Sequence, residues 1–218
     1  MATKFPIFNI HYLSPLIIGV GQFFNNNKGG DMYKSKKIFL VTSFLLLTAI
    51  GFAEKPVIVE EFLMQVDFMK GRVTQLAEAM PPSTYEWRPA EGVRSVGEVY
   101  LHAAFGNYIS VTISGGMVPE DVGFVMDFKK VNEWDTQTTD KKEIIDKMNE
   151  SFDILKDRIA VLTDEDLDRE VEVFGMKFSV RNFIISMISH CHEHLGQSVA
   201  YARMNGVTPP WSQSDSEG

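Results

Sequence analysis

Four stretches of the chain space their apolar residues three and four apart, the interval that draws one stripe along an α-helix. The first carries Val59, Phe62, Leu63, Val66, Met69, Val73, Leu76 and Met80, and Pro81-Pro82 stop it. The second opens on Ser95-Val96-Gly97-Glu98, a capping box in which serine and glutamate satisfy each other's backbone donors. Its stripe is Val99, His102, Gly106, Ile109 and Ile113, and Gly115-Gly116 end it. The third begins near Asp140, with Glu143 three later, and runs through Ile144/Ile145, Met148, Phe152, Leu155, Ile159 and Leu162. The fourth extends from about Ser179 to Asn205, with Phe183, Met187, His190, His194 and Tyr201 on one face; Gly206 closes it and Pro209-Pro210 follow. Ahead of it, Val171-Glu172-Val173-Phe174-Gly175-Met176-Lys177-Phe178 alternates around a glycine, as a short hairpin or extended connection does. Residues 117–138 read as a long irregular link, of the kind that often carries function. The whole predicts an all-α four-helix bundle with a small β-hairpin or extended link before the last helix.

The N-terminal quarter reads differently. Met32-Tyr33-Lys34-Ser35-Lys36-Lys37 is a basic start, residues 38–50 are almost uninterruptedly apolar, and Gly51-Phe52-Ala53 supplies small residues at −3 and −1. That is a secretory signal peptide over 32–53, cleaved after Ala53, its apolar run too short to span a bilayer comfortably. Lys28-Gly29-Gly30-Asp31, just before Met32, is encodable by a purine-rich ribosome-binding sequence. Residues 1–31 are therefore expected to be upstream leader read as protein; the alternative is a genuine apolar extension. The domain is expected over 54–211, with a Ser/Asp tail at 212–218, and the mature protein to be secreted or periplasmic.

Cleavage there leaves 165 residues, enough for one domain with one full core. The first 53 residues hold five of the 21 basic and one of the 29 acidic residues, so the mature part carries 16 against 28, a net −12. Such a surface repels phosphate backbones, which argues against nucleic-acid binding. With the single cysteine Cys191 an intrachain disulfide is excluded, and the fold must stand on packing.

Composition leaves the chemistry to three histidines. His190 and His194 are one helical turn apart, on one face. They and His102 replace apolar residues in the inward stripes of two helices. A buried imidazole needs partners for both nitrogens, and three facing inward are simplest to satisfy around one shared divalent ion with an open fourth position. The alternative is three ordinary core or cleft histidines, because a bare HxxxH pair is common. His192 turns about 200° from His190, toward solvent. Cys191 reads as a small buried hydrophobe and Glu193 as a surface charge. Glu98 shares a face with His102 and is a candidate for supporting the site, the other reading being that it closes the capping box. Gln197 either meets a ligand or holds helix two. Trp87, Trp134 and Tyr201 read as core or cleft walls.

These residues resemble the DinB-like (DinB/YfiT) superfamily of metal-binding four-helix bundles. The segment from Trp87-Arg88-Pro89 through Ser95-Val96-Gly97-Glu98-Val99 to His102 is similar to the family's lead-in to helix two and its first ligand. His190-Cys191-His192-Glu193-His194-Leu195-Gly196-Gln197 resembles its HxxxHxGQ stretch, and residues 201–210 its usual ending. Many relatives carry arginine where this chain has Leu195. The resemblance spans about residues 56–211 and implies an up-down-down-up topology, often a homodimer, with His102, His190 and His194 holding Zn, Ni or a similar ion. From the donor set Fe, Mn and Co are also acceptable. It further implies a small-molecule substrate, a thiol among the candidates, and thiol-dependent S-transfer or isomerisation; transfer and hydrolysis are both compatible with a three-histidine ion that has an open position. The alternative is a non-catalytic sensor or binding module braced by its ion. No membrane partner is expected for the mature form.

Overall fold

The computed structural model describes residues 55–212. The proposed leader, the signal peptide and nearly all of the tail lie outside the described residues. Four long helices form the body: α1 (Val57–Ala79), α2 (Val96–Ile113), α4 (Lys141–Ala160) and α6 (Val180–Met204). Two five-residue helices, α3 (Val131–Asp135) and α5 (Asp164–Asp168), and a hairpin of β1 (Glu170–Val173) and β2 (Met176–Ser179) lie between them. No helix among the described residues is long and apolar enough to cross a membrane.

The ends are set by the residues that the sequence marks out. Ser95 Oγ accepts from Glu98 N at 3.3 Å, and Glu98 Oε2 accepts from Ser95 N at 2.8 Å, closing the capping box of α2. Asp140 and Ser179 cap α4 and α6, each accepting from the backbone N–H three residues on. Lys141 Nζ donates to the carbonyls of Glu78 and Met80, both at 2.7 Å, and so finishes α1 from the start of α4. The core interleaves the four stripes; Leu76, Leu101, Ile144, Met148 and Ile159 are sealed within it.

Pairings between helices give the topology. Lys70 meets Asp153 and Thr74 meets Asn149, partners running in opposite senses, so α1 and α4 are antiparallel. Asn107 meets Ser151 and Ser114 meets Arg158, partners advancing together, so α2 and α4 are parallel. Gly106 faces Met187 while Arg94 meets Tyr201, so α2 and α6 are antiparallel. In chain order the bundle is up-down-down-up.

Parallel neighbours explain the long link. The 18 residues of α2 rise about 27 Å, and the chain must return that distance outside the bundle before α4 can start. The segment expected to be irregular is only partly so. It contains two 3-10 turns and α3, which lies along α2 with Trp134 Nε1 donating to Leu101 O at 2.9 Å. A five-residue helix shows no periodicity by which to find it and holds only through this packing. The hairpin expected before the last helix is present, in antiparallel register with Val173 opposite Met176. Phe174 (φ 54°) and Gly175 (φ 73°) form its two-residue turn, whose twist demands positive φ at both positions.

Candidate metal centre

Antiparallel packing of α2 against α6 sets His102 opposite the turn that carries His190 and His194. One ring nitrogen from each of the three lies within 4.8 Å of the other two. His190 Nε2 and His194 Nε2 are 3.0 Å apart, and the His102 ring lies 4.9–5.3 Å from the other two by centroid. All three rings are half-buried. Gly106 lies against the same turn of α6: a Cβ there would press on Met187 Cε at 3.0 Å and stand in ordinary contact, 3.4 Å, with His190 Nδ1.

An outer hydrogen bond fixes how the His194 ring is aimed, and a carboxylate stands beside the His102 ring. Gln197 Nε2 donates to Tyr201 Oη at 2.8 Å, which leaves Gln197 Oε1 as the partner of His194 Nδ1 at 3.0 Å. His194 therefore carries its proton on Nδ1 and turns the Nε2 lone pair inward. Tyr201 Oη in turn donates to Arg94 O at 3.2 Å, and Arg94 Nε donates to Asp135 Oδ2 at 2.7 Å. That carboxylate oxygen stands 3.2 Å from His102 Nδ1, in ion-pair range though not aligned as a hydrogen bond. A chain of contacts thus runs from His194 through Gln197, Tyr201, Arg94 and Asp135 to His102. His190 Nδ1 and Asp135 Oδ1 are buried and make no hydrogen bond among the described residues.

Burial lowers the basicity of the cluster. It is the main reason His190 is held down at about 4, with His194, His102 and Arg94 adding to it. Burial also lowers His194, partly opposed by its hydrogen bond to Gln197. Neutral imidazoles with lone pairs directed at one point are what a divalent ion requires. At a metal–nitrogen distance of about 2.0–2.1 Å, ligand nitrogens stand roughly 3 Å apart, as His190 and His194 do. The donor set fits a metal ion.

The remaining candidates fall into place around it. Gln197 supports His194 directly. Glu98 does not reach the cluster: its carboxylate closes the capping box and binds Arg88 at 2.6 and 3.2 Å. The proximity of Glu98 to His102 in sequence is overridden by capping geometry and a cation on its other side. Cys191 is buried against Asn107, Sγ to Oδ1 3.6 Å, and burial pushes its thiol up to about 12, so it offers no thiolate. His192 is exposed and stacks on Phe68, and Glu193 is exposed. Sequence reasoning missed Asp135, which reaches the site only because the crossover lays α3 along α2. It also missed Arg94, whose place inside the motif ahead of α2 was the available signal.

Known proteins share this architecture. The chain matches no curated protein. A DinB-like protein from Bacillus cereus ATCC 10987 superposes with TM-score 0.57 at 21% identity, over 69% of this chain and 95% of that one. A DinB-like protein from Bacillus subtilis superposes with TM-score 0.51 at 22% identity, over 68% and 93%. YfiT from Bacillus subtilis, described as "a probable metal-dependent hydrolase with an unusual four-helix bundle topology", superposes with TM-score 0.52 at 16% identity, over 69% and 89%. At these identities the likeness is one of fold. The family model of the DinB superfamily matches residues 65–198, from within α1 through the HxxxH turn to Ser198. The chain belongs to the DinB superfamily.

Proposed function

We propose that His102, His190 and His194 hold a divalent ion, Zn or Ni in first place and Fe, Mn or Co as alternatives, at the centre of a metal-dependent enzyme. The observation that carries this reading is the convergence of three half-buried nitrogen donors, with no fourth among the described residues. Three protein ligands are the mark of a catalytic site, whereas structural sites are closed by four. A bound ion supplies Lewis acidity there, acidifying a water or thiol nucleophile and polarising an electrophile. The protein's own part is to aim the donors. Gln197 holds the Nδ1 side of His194, Asp135 stands beside the Nδ1 side of His102, and burial keeps His190 neutral. Hydrolysis of a small-molecule ester or amide is the first reading, in line with the description of YfiT. Transfer to a small thiol uses the same donors and is the second. We also propose that the enzyme acts outside the cytoplasm, on the strength of the signal-like sequence over 32–53.

Elemental analysis of the full chain, followed by Co²⁺ substitution and titration with azide, tests the centre. One ion per chain and a changed cobalt absorption spectrum are expected. A metal-free protein, or a cobalt spectrum indifferent to azide, would overturn the reading.

A further inference from the structure

A cavity of about 220 Å³ opens beside His102 and His190. Its inner wall is Gly106 and Ile109 of α2 with Phe183 and Met187 of α6. Its outer wall comes from two segments far apart in sequence: Phe128 of the crossover and Phe174 of the hairpin turn. Apart from the two imidazoles the lining is apolar. Burying a charged or strongly polar group against such walls is costly, whereas an aryl or alkyl group gains by leaving water. An engineered apolar cavity of about 150 Å³ takes up benzene, so this one has room for a monocyclic ring with a short substituent.

Phe174 is a second and independent sign. It is the one non-glycine residue with positive φ among the described residues, and asparagine or glycine would suit its turn better. It is 68% exposed, so core packing does not hold it there. Its ring leans instead on Phe128, centroids 4.3 Å apart, at the mouth of the cavity. A large apolar side chain kept in an unfavourable conformation and left facing water acquires a use if a ligand's apolar surface covers it.

We propose that this cavity binds the apolar part of the substrate, an aryl or branched-alkyl group joined through a few bonds to the polar function that meets the histidines. Phe128 and Phe174 form its outer wall. The inference rests on the metal-centred reading for the polar end only. The inner wall includes Gly106, where a Cβ would crowd Met187 Cε at 3.0 Å.

Two probes of the full chain separate the cavity from the centre. With no metal added, 4-fluorotoluene followed by ¹⁹F NMR binds the wild type and not Val131→Trp, which fills the cavity from a half-buried lining position. On the Co²⁺-substituted protein, benzohydroxamate binds about tenfold or more tighter than acetohydroxamate, the gain expected for burying a phenyl ring. Phe174→Asn keeps the hairpin turn and cuts that preference at least threefold. Equal affinity for the two hydroxamates, or fluorotoluene ignored by the wild type, overturns the proposal. If fluorotoluene binds but neither hydroxamate perturbs cobalt, the metal-centred reading fails and the cavity stands as an apolar ligand site.

Discussion

Asp135 Oδ2 stands 3.2 Å from His102 Nδ1 while it accepts a 2.7 Å bond from Arg94 Nε. The carboxylate is only 3% exposed, so its charge is felt at short range and little screened by water. Its place behind the ring is that of the acidic partners that orient metal-ligating histidines elsewhere. Asp135→Asn preserves the shape and removes the charge. It should weaken metal affinity by about 10- to 100-fold with little change in helical content. Competition against a chelator of known affinity measures the first and far-UV circular dichroism the second; unchanged affinity would reduce Asp135 to a partner of Arg94.

The proposed ligands themselves should behave differently from this support. Because the ion binds only the folded chain, it should stabilise the wild type by about 2.7 kcal/mol when present at 100 times its dissociation constant. His102→Ala and His190→Ala should lose that metal-dependent rise in melting temperature altogether while still folding, since the four apolar stripes do not depend on either ring. A variant that keeps a full equivalent of metal and the full rise would show that the replaced histidine is no ligand.

The difference between ligand and support is also the difference between what the sequence discloses and what it hides. His102, His190 and His194 are legible because each interrupts an apolar stripe of its own helix, and a four-residue step fixes the facing of two of them. Gln197 is half legible: its spacing puts it near the stripe, but whether it serves His194 or α2 depends on rotamers. Asp135 and Arg94 pair across 41 residues, and nothing local relates them. Their meeting follows from α2 and α4 being parallel, which forces the crossover to run back along α2. Glu98 shows the converse. Its spacing allows it to face His102, but Ser95 N and Arg88 claim its oxygens first.

Acid should act on the metal-free protein in a defined window. His190 titrates near 6.5 in an unfolded chain and, mainly through burial, near 4 in the folded one. A histidine depressed in this way leaves stability intact above 6.5, and stability is lost as the pH falls from 6.5 through about 4, because the unfolded chain takes up the proton first. The depressed His194 adds to the same slope. Urea denaturation at pH 7.5, 6.0, 5.0 and 4.5 should show falling midpoints below 6.5. Added metal should offset part of the loss at pH 6, where His190 is still mostly neutral and open to coordination. Midpoints that stay level down to pH 4.5 would contradict the burial of these rings.

Cys191 tests the boundary of the site from the other side. It sits between two of the proposed ligands in sequence, yet its Sγ points at Asn107 and its thiol is pushed up to about 12. Cys191→Ala should therefore bind one ion with wild-type affinity. It should cost about 1–2 kcal/mol of stability from the small void and the lost contact to Asn107. A drop in metal affinity comparable to that of His190→Ala would place the sulfur among the ligands.

Phe174 sets stability against binding. Its positive φ costs about 1–2 kcal/mol for a residue with a Cβ, while asparagine, whose short polar side chain bonds locally, tolerates the same conformation. Phe174→Asn gives up the contact with Phe128, but an aromatic that is already 68% exposed buries little apolar area to lose. The variant should therefore melt at least as high as the wild type, and by up to about 1 kcal/mol more stably, while its preference for benzohydroxamate over acetohydroxamate falls. Surface hydrophobicity reported by a dye such as ANS should fall with it, because Phe174 and the 37% exposed Phe128 form the rim that such dyes find. A variant that melts several degrees lower would mean that the turn holds Phe174 for the sake of the fold, its contact with Phe128 being worth more than the strain it carries.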